Sequence, residues 1–161
     1  SCCGKAIHLH CKDNFYGSSM SREQKSKCPH CQVKLPTTDE EHFELARGWA
    51  EKGKAWAQAY LGNDYRFGVG VEQSYEKAIE YFTLAMEQDD PNAMFTLATM
   101  YYQRGRLTRS SESYYTAIQK FPSFLRAHKN LGFVKLSLGN FKEAASSFSK
   151  SISLGEGDGV A

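Results

Sequence analysis

The sequence predicts a mostly α-helical chain: a right-handed α-solenoid of helix-turn-helix repeats with a small N-terminal zinc-bound module. Three observations lead there. Small and aromatic residues recur with a period of 34 to 36 across the last two thirds of the chain. All five cysteines fall within the first 31 residues. Between these regions, Pro36 to Asp39 has the composition of a hinge followed by a helix start.

Composition bounds the rest. With 161 residues, 41% hydrophobic and 13% aromatic, the chain can bury a core and is not a disordered one. No run of about 18 apolar residues exists to form a membrane-spanning helix. The chain opens on cysteines and a lysine rather than an apolar leader, and without Met, so a fragment cut inside a domain is expected. The net charge of +2 hides an asymmetry: residues 1–37 hold six Lys/Arg against two Asp/Glu, and the remainder 14 against 16. A basic head fits nucleic acid; it equally offsets the negative charge of thiolates around a metal.

The cysteines decide between those readings. Cys2, Cys3, Cys11, Cys28 and Cys31 are odd in number and confined to one end, and no N-x-S/T sequon accompanies them. A disulfide scaffold would spread its cysteines and pair them. Adjacent Cys2 and Cys3 do not meet disulfide geometry. A reducing compartment, cytoplasmic or nuclear, and a metal site follow. Cys28-Pro29-His30-Cys31 is a two-thiolate knuckle and His8-x2-Cys11 a second one with an imidazole, the ligand types that zinc takes in a tetrahedron.

The run Cys3-Gly4-Lys5-Ala6-Ile7-His8-Leu9-His10-Cys11, closed by Cys28-Pro29-His30-Cys31, resembles the central and final parts of a RING-type zinc finger lacking its first C-x2-C. The resemblance covers about 35 residues. It implies two zinc sites in a cross-brace: Cys2, Cys3, Cys28 and Cys31 in one, His8 and Cys11 as half of the other, with their partners upstream of Ser1. Cys2 departs from the pattern, because the family spaces that pair by one residue. His10 and His30 are read as surface residues. The family often acts as ubiquitin ligases that hold a charged conjugating enzyme without chemistry of their own. Ile7, Phe15 and Pro29 would belong to that docking surface, or else pack the small zinc core.

Next in order comes a helix from about residue 40 to Lys52, started by Thr37, Thr38 and Asp39, supported by Glu40, Glu41 and Glu44, and stopped at Gly53. Then the repeats begin. Leu61-Gly62, Leu97-Ala98 and Leu131-Gly132 are 36 and 34 apart; Phe82, Tyr114 and Phe148 follow in the same frame, as do Ala85, Ala117 and Ser151. The small residue of each first helix lets the second approach, and the aromatic fills the space beneath it. The units span residues 54–90, 91–123 and 124–155, with a flexible tail at 156–161.

These units resemble tetratricopeptide and SEL-one-like repeats. Ala59-Tyr60-Leu61-Gly62-x2-Tyr65-x2-Gly68-Val69-Gly70-Val71, then Tyr75-Glu76-Lys77-Ala78 and Tyr81-Phe82-x2-Ala85, match the SEL-one-like pattern; Gly139-Asn140-Phe141-Lys142-Glu143-Ala144 and Pro122 match the tetratricopeptide one. Ser110 in place of Ala and Lys135 in place of an aromatic depart from it, and a looser second unit is expected. Gly68-Val69-Gly70 lacks the preceding strand and third glycine of a nucleotide loop. Ser147-x2-Lys150 is a weak nucleophile pair, and Met86, Met94 and Met100 read as core.

The family frame implies a groove lined by Trp56, Tyr60, Asn63, Arg66, Asn92, Tyr102, Arg126, Lys129 and Asn130. Its three cations and its amides suit an acidic or C-terminal peptide, with Arg126 and Lys129 sharing one helix face and Arg66 opposite them. The functional expectation is a zinc-binding, helical-repeat protein-interaction adaptor, in its sharpest form the substrate-recruiting part of a RING-type ubiquitin ligase. The alternatives are a non-catalytic scaffold with a structural zinc module and, third, nucleic-acid binding through the basic head.

Overall fold

The computed structural model describes residues 36–157. The six candidate zinc ligands and the conjugating-enzyme surface at Ile7, Phe15 and Pro29 lie outside the described residues. Within them the chain forms seven helices and no strand: α1 Asp39–Ala50, α2 Ala55–Phe67, α3 Tyr75–Glu87, α4 Pro91–Gln103, α5 Leu107–Lys120, α6 Leu125–Ser137 and α7 Phe141–Gly157.

Local chemistry sets the boundaries. Thr38 caps α1, its Oγ1 accepting from Glu41 N at 3.2 Å, and the Glu41 carboxylate reaches back to Thr37 N at 2.7 Å. Three acids in the first turn, Asp39, Glu40 and Glu41, face the positive end of the helix dipole. The helix ends at Ala50, two residues short of Lys52, because the chain turns through Gly53 at φ +72°. Ser74 caps α3 through Lys77 N; Asp90 caps α4 through Ala93 N at 2.8 Å, with Pro91 at the first helical position.

Consecutive helices pack on one another as antiparallel pairs, and the first helices α4 and α6 also touch. Two apolar cores share α4 as a common wall. Ala93, Leu97 and Met100 join Phe43, Leu61, Tyr65 and Phe82 in one. Met94 and Ala98 join Tyr114, Ala117, Leu131 and Val134 in the other. Met94 and Met100 are buried as expected, and Met86 packs against both cores.

The repeat frame appears as close contact. A Cβ on Gly62 would sit 2.9–3.0 Å from the Phe82 ring, and one on Gly132 would sit 2.6–2.8 Å from the Phe148 ring. The two departures from the repeat pattern turn out to be ties. Ser110 is fully buried and its Oγ donates to Ala98 O at 2.8 Å, so the second unit is joined there rather than loose. Lys135 is buried along its stem, with Nζ 2.7 Å from Glu143 and 5.0 Å from the centre of the Tyr115 ring. The expected tail also begins later than residue 156: α7 runs to Gly157, held where Gly155 packs on Leu125 at the start of α6.

Candidate functional site

The site to assess is the face made by α2, α4 and α6. Side-chain contacts fix how these helices lie. Arg66 of α2 donates to Gln103 of α4 at 3.2 Å, and Tyr102 Oη of α4 is 3.4 Å from Ser137 Oγ of α6. At the other end, the Arg126 guanidinium of α6 lies 4.6 Å over the Phe95 ring of α4. Late residues meet late and early meet early, so the three first helices run parallel and in register.

That register separates the expected cations. Arg126 and Lys129 share the exposed N-terminal part of α6. Arg66 occupies the frame position of Tyr102 and Leu136, ten residues further along, which is about 15 Å along the helix axis. The face therefore has a basic corner at each end of a diagonal rather than three cations in opposition.

The other expected residues divide by neighbourhood. Trp56 is half-buried against Trp49 of α1, ring centroids 6.2 Å apart, so α1 covers that edge of the face. Tyr60 packs on the same core. Asn63 is exposed and donates to Ala59 O of its own helix at 3.1 Å; Asn92 is exposed at the start of α4. Tyr102 is 38% exposed. Asn130 Nδ2 donates to Tyr114 Oη at 3.0 Å, and the same phenol shares a 2.7 Å hydrogen bond with Thr99. Burial pushes the Tyr114 phenol up, and its hydrogen bonds with Thr99 and Asn130 offset part of that rise. Asn130 thus also serves the frame, tying α4, α5 and α6 at one atom.

Three apolar residues of this face were missed in the sequence. Phe95 is half-buried between Tyr114 and Phe124 and lies beneath Arg126. Phe133 is 44% and Leu136 42% exposed. The available signal was frame position: Phe133 stands where Asn63 and Thr99 stand in the other units, a polar place taken by an aromatic.

The charge pattern is one-sided. Among α2, α4 and α6 the sole acid is Asp64, which is buried, while the cations Arg66, Arg126 and Lys129 are on the face. The acids of the other helices, such as Glu76, Glu80, Glu112 and Glu143, lie on α3, α5 and α7. A cleft of about 480 Å³ lies at one edge, between the α4–α5 turn at Gly105 to Arg109 and Leu138. Among the described residues no group of three or more His, Cys, Asp or Glu is placed to hold a metal ion, and no helix is long and apolar enough to cross a membrane.

Comparison with known proteins identifies this architecture. The chain superposes on the crystal structure of MamA with a TM-score of 0.65 at 21% identity, covering 75% of this chain and 71% of that one. It superposes on a Sel1 repeat protein from Oxalobacter formigenes with a TM-score of 0.63 at 22% identity, over 77% and 52% of the two chains. The fold is that of the tetratricopeptide and SEL-one-like repeats. The second tetratricopeptide module of Spaghetti (RPAP3), solved with the HSP90 peptide SRMEEVD, matches with a TM-score of 0.55 at 21% identity, over 70% of this chain and 96% of that module. In sequence, the chain is 29% identical to a peroxisomal targeting signal receptor of Candida albicans, over 92% of this chain and 28% of that protein. It is 30% identical to the receptor of the same name from Eremothecium gossypii, over 80% and 24%. It therefore spans about a quarter of the length of the curated relatives it matches. No protein-family model matches the chain.

Proposed function

We propose that the repeats form a protein-interaction module whose first-helix face binds an extended, acid-bearing segment of a partner protein. The observation that carries this reading is the charge pattern of α2, α4 and α6: their exposed charges are cations, set at two corners of a surface floored by Phe95, Tyr102, Phe133 and Leu136. An extended chain lying across such a face offers carboxylates to Arg66, Arg126 and Lys129 and apolar side chains to the floor. Two likenesses support it. A module of the same fold was solved with a peptide bearing three acidic residues, SRMEEVD. The sequence relatives are named as receptors for a targeting signal.

The test is a pull-down from cell extract with wild-type protein and the double variant Arg126→Ala, Lys129→Ala, each checked for folding. Charge-assisted hydrogen bonds contribute roughly 1.5–3 kcal/mol each before desolvation. The double variant should therefore weaken a partner about tenfold or more and leave the melting temperature nearly unchanged, since exposed charges contribute little to stability. Identical partners for both proteins would mean that these repeats act as a spacer.

For residues 1–35 the proposal rests on ligand spacing: a zinc module using Cys2, Cys3, Cys28 and Cys31, with His8 and Cys11 as half of a second site. A role in docking a ubiquitin-conjugating enzyme is the sharpest form of that proposal, and a structural zinc scaffold in a reducing compartment is the plainer one. Metal analysis of the purified chain decides it: one tightly held zinc, lost in Cys28→Ser and kept in His8→Ala, is the expected result.

A further inference from the structure

One carboxyl group does nothing for the face described above. Asp64 is 5% exposed, and its Oδ2 has no hydrogen-bond partner. It lies on α2, near enough to the start of α1 that the Asp39 charge acts on it. These two helices form an antiparallel pair, with the Trp49–Trp56 contact at one end and the start of α1 at Asp39 at the other. The Asp39 end is tightly built. Gly70, in the turn after α2, lies so near that a Cβ there would overlap the Asp39 carbonyl and come within 2.9 Å of Glu40 N. The turn amides of Gly68 and Val69 donate to the main-chain oxygen of Asp64, at 2.7 and 3.0 Å, and so do not serve its carboxylate.

Among the described residues no Lys or Arg pairs with it. Among the described residues, the titratable groups on the elements packed against this part of α2 are Asp39, Glu40, Glu41 and His42 on α1, Glu72 in the turn, and Tyr75, Glu76, Lys77 and Tyr81 on α3. Of these, Asp39 is the one whose charge reaches Asp64, and it is of the same sign. Lys77 is held over the Tyr65 ring, and Tyr81 is stacked on that ring. Arg66, two residues on, is turned to Gln103.

We propose that Asp64 is a proton latch on the α1–α2 seam: with its carboxyl protonated, α1 stays seated on the first repeat, and loss of that proton loosens α1 from its Asp39 end. Burial first, and the Asp39 charge second, raise the Asp64 carboxyl from 3.8 to about 7. The sign follows from that direction. The seated state binds the proton more tightly than the open state, so this contribution to seating is fully present below about 3.8 and is lost as pH rises through about 7. α1 is the segment that joins residues 1–35 to the repeats along the chain, so the latch acts at that junction.

Hydrogen exchange of the α1 amides tests this, with rates corrected for the intrinsic effect of pH. Between pH 6 and pH 8 the opening of α1 in the wild-type chain should rise about tenfold, the factor that linkage gives for these two pKa values. Amides of α6 should not change. Asp64→Asn should abolish the pH dependence and hold α1 more firmly than the wild type at pH 8. In parallel, the Asp64 side-chain carboxyl carbon, followed by NMR in the wild-type chain, should titrate near 7; this needs no variant to fold. Titration near 4, or an α1 opening equally pH-dependent in Asp64→Asn, overturns the proposal.

Discussion

The first and second repeats close the same seam by different means. In the first, Gly62 leaves room for the Phe82 ring to lie directly on the α2 backbone, and the contact is wholly apolar. In the second, Ala98 replaces the glycine, Tyr114 the phenylalanine and Ser110 the alanine, and three side-chain hydrogen bonds tie the helices together: Ser110 to Ala98 O, Tyr114 to Thr99, and Asn130 to Tyr114. The third repeat returns to the glycine–phenylalanine form at Gly132 and Phe148, but with no further helix described against it, Phe148 stays half-exposed. The repeat pattern thus demands close approach and leaves open whether dispersion or hydrogen bonding stabilises it.

Substitutions at these equivalent positions separate the two solutions, each read by urea or thermal unfolding. The largest effect is expected from Phe82→Ala, about 3–5 kcal/mol for a buried aromatic; Phe148→Ala should cost less than half as much, because that ring already meets solvent. Gly62→Ala comes next, at about 1–3 kcal/mol, since the new methyl meets a ring that is 1% exposed and cannot yield. Gly132→Ala should be within about 1 kcal/mol of neutral, because the Phe148 ring can swing outward and alanine favours the helix. An equal cost at both glycines would remove the distinction between the closed and open ends of the array.

The hydroxyl-tied repeat is probed by subtler changes. Tyr114→Phe should cost about 1–3 kcal/mol, by stranding the polar groups of Thr99 and Asn130. Ser110→Ala should cost about 0.5–1.5 kcal/mol, one hydrogen bond's worth. If Tyr114→Phe were neutral, the second repeat would be held by packing like the first.

How much of this was legible in the sequence depended on range. The period of the leucines and small residues placed every helix pair, because each unit must present the same small-then-aromatic sequence to close its seam. The helix start at Thr38 was readable from a side chain that caps locally, whereas the same signal at Ser74 and Asp90 was overlooked. Ser110 and Lys135 looked like defects, because their partners, Ala98 O and Glu143, become visible only once the helices are packed. Of the site, the cations were readable as residues, but their separation along the face was not; it follows from the parallel register of α2, α4 and α6. Phe133 was overlooked because an aromatic in a repeat helix reads as core unless its frame position is checked against the other units. Asp64 gave no signal, since nothing local marks a carboxylate that burial strips of partners.

The way each helix leans mainly on its neighbours in the chain has a mechanical consequence. Few contacts bridge distant parts of the sequence, so little chain entropy is lost in closing loops, and folding of this class of topology is fast. The same locality makes unfolding divisible. Pulled from its two ends, such an array does not rupture at one breaking point; it gives up helices singly, each at a force set by the seam it leaves, and reseats them in reverse order when the load is released.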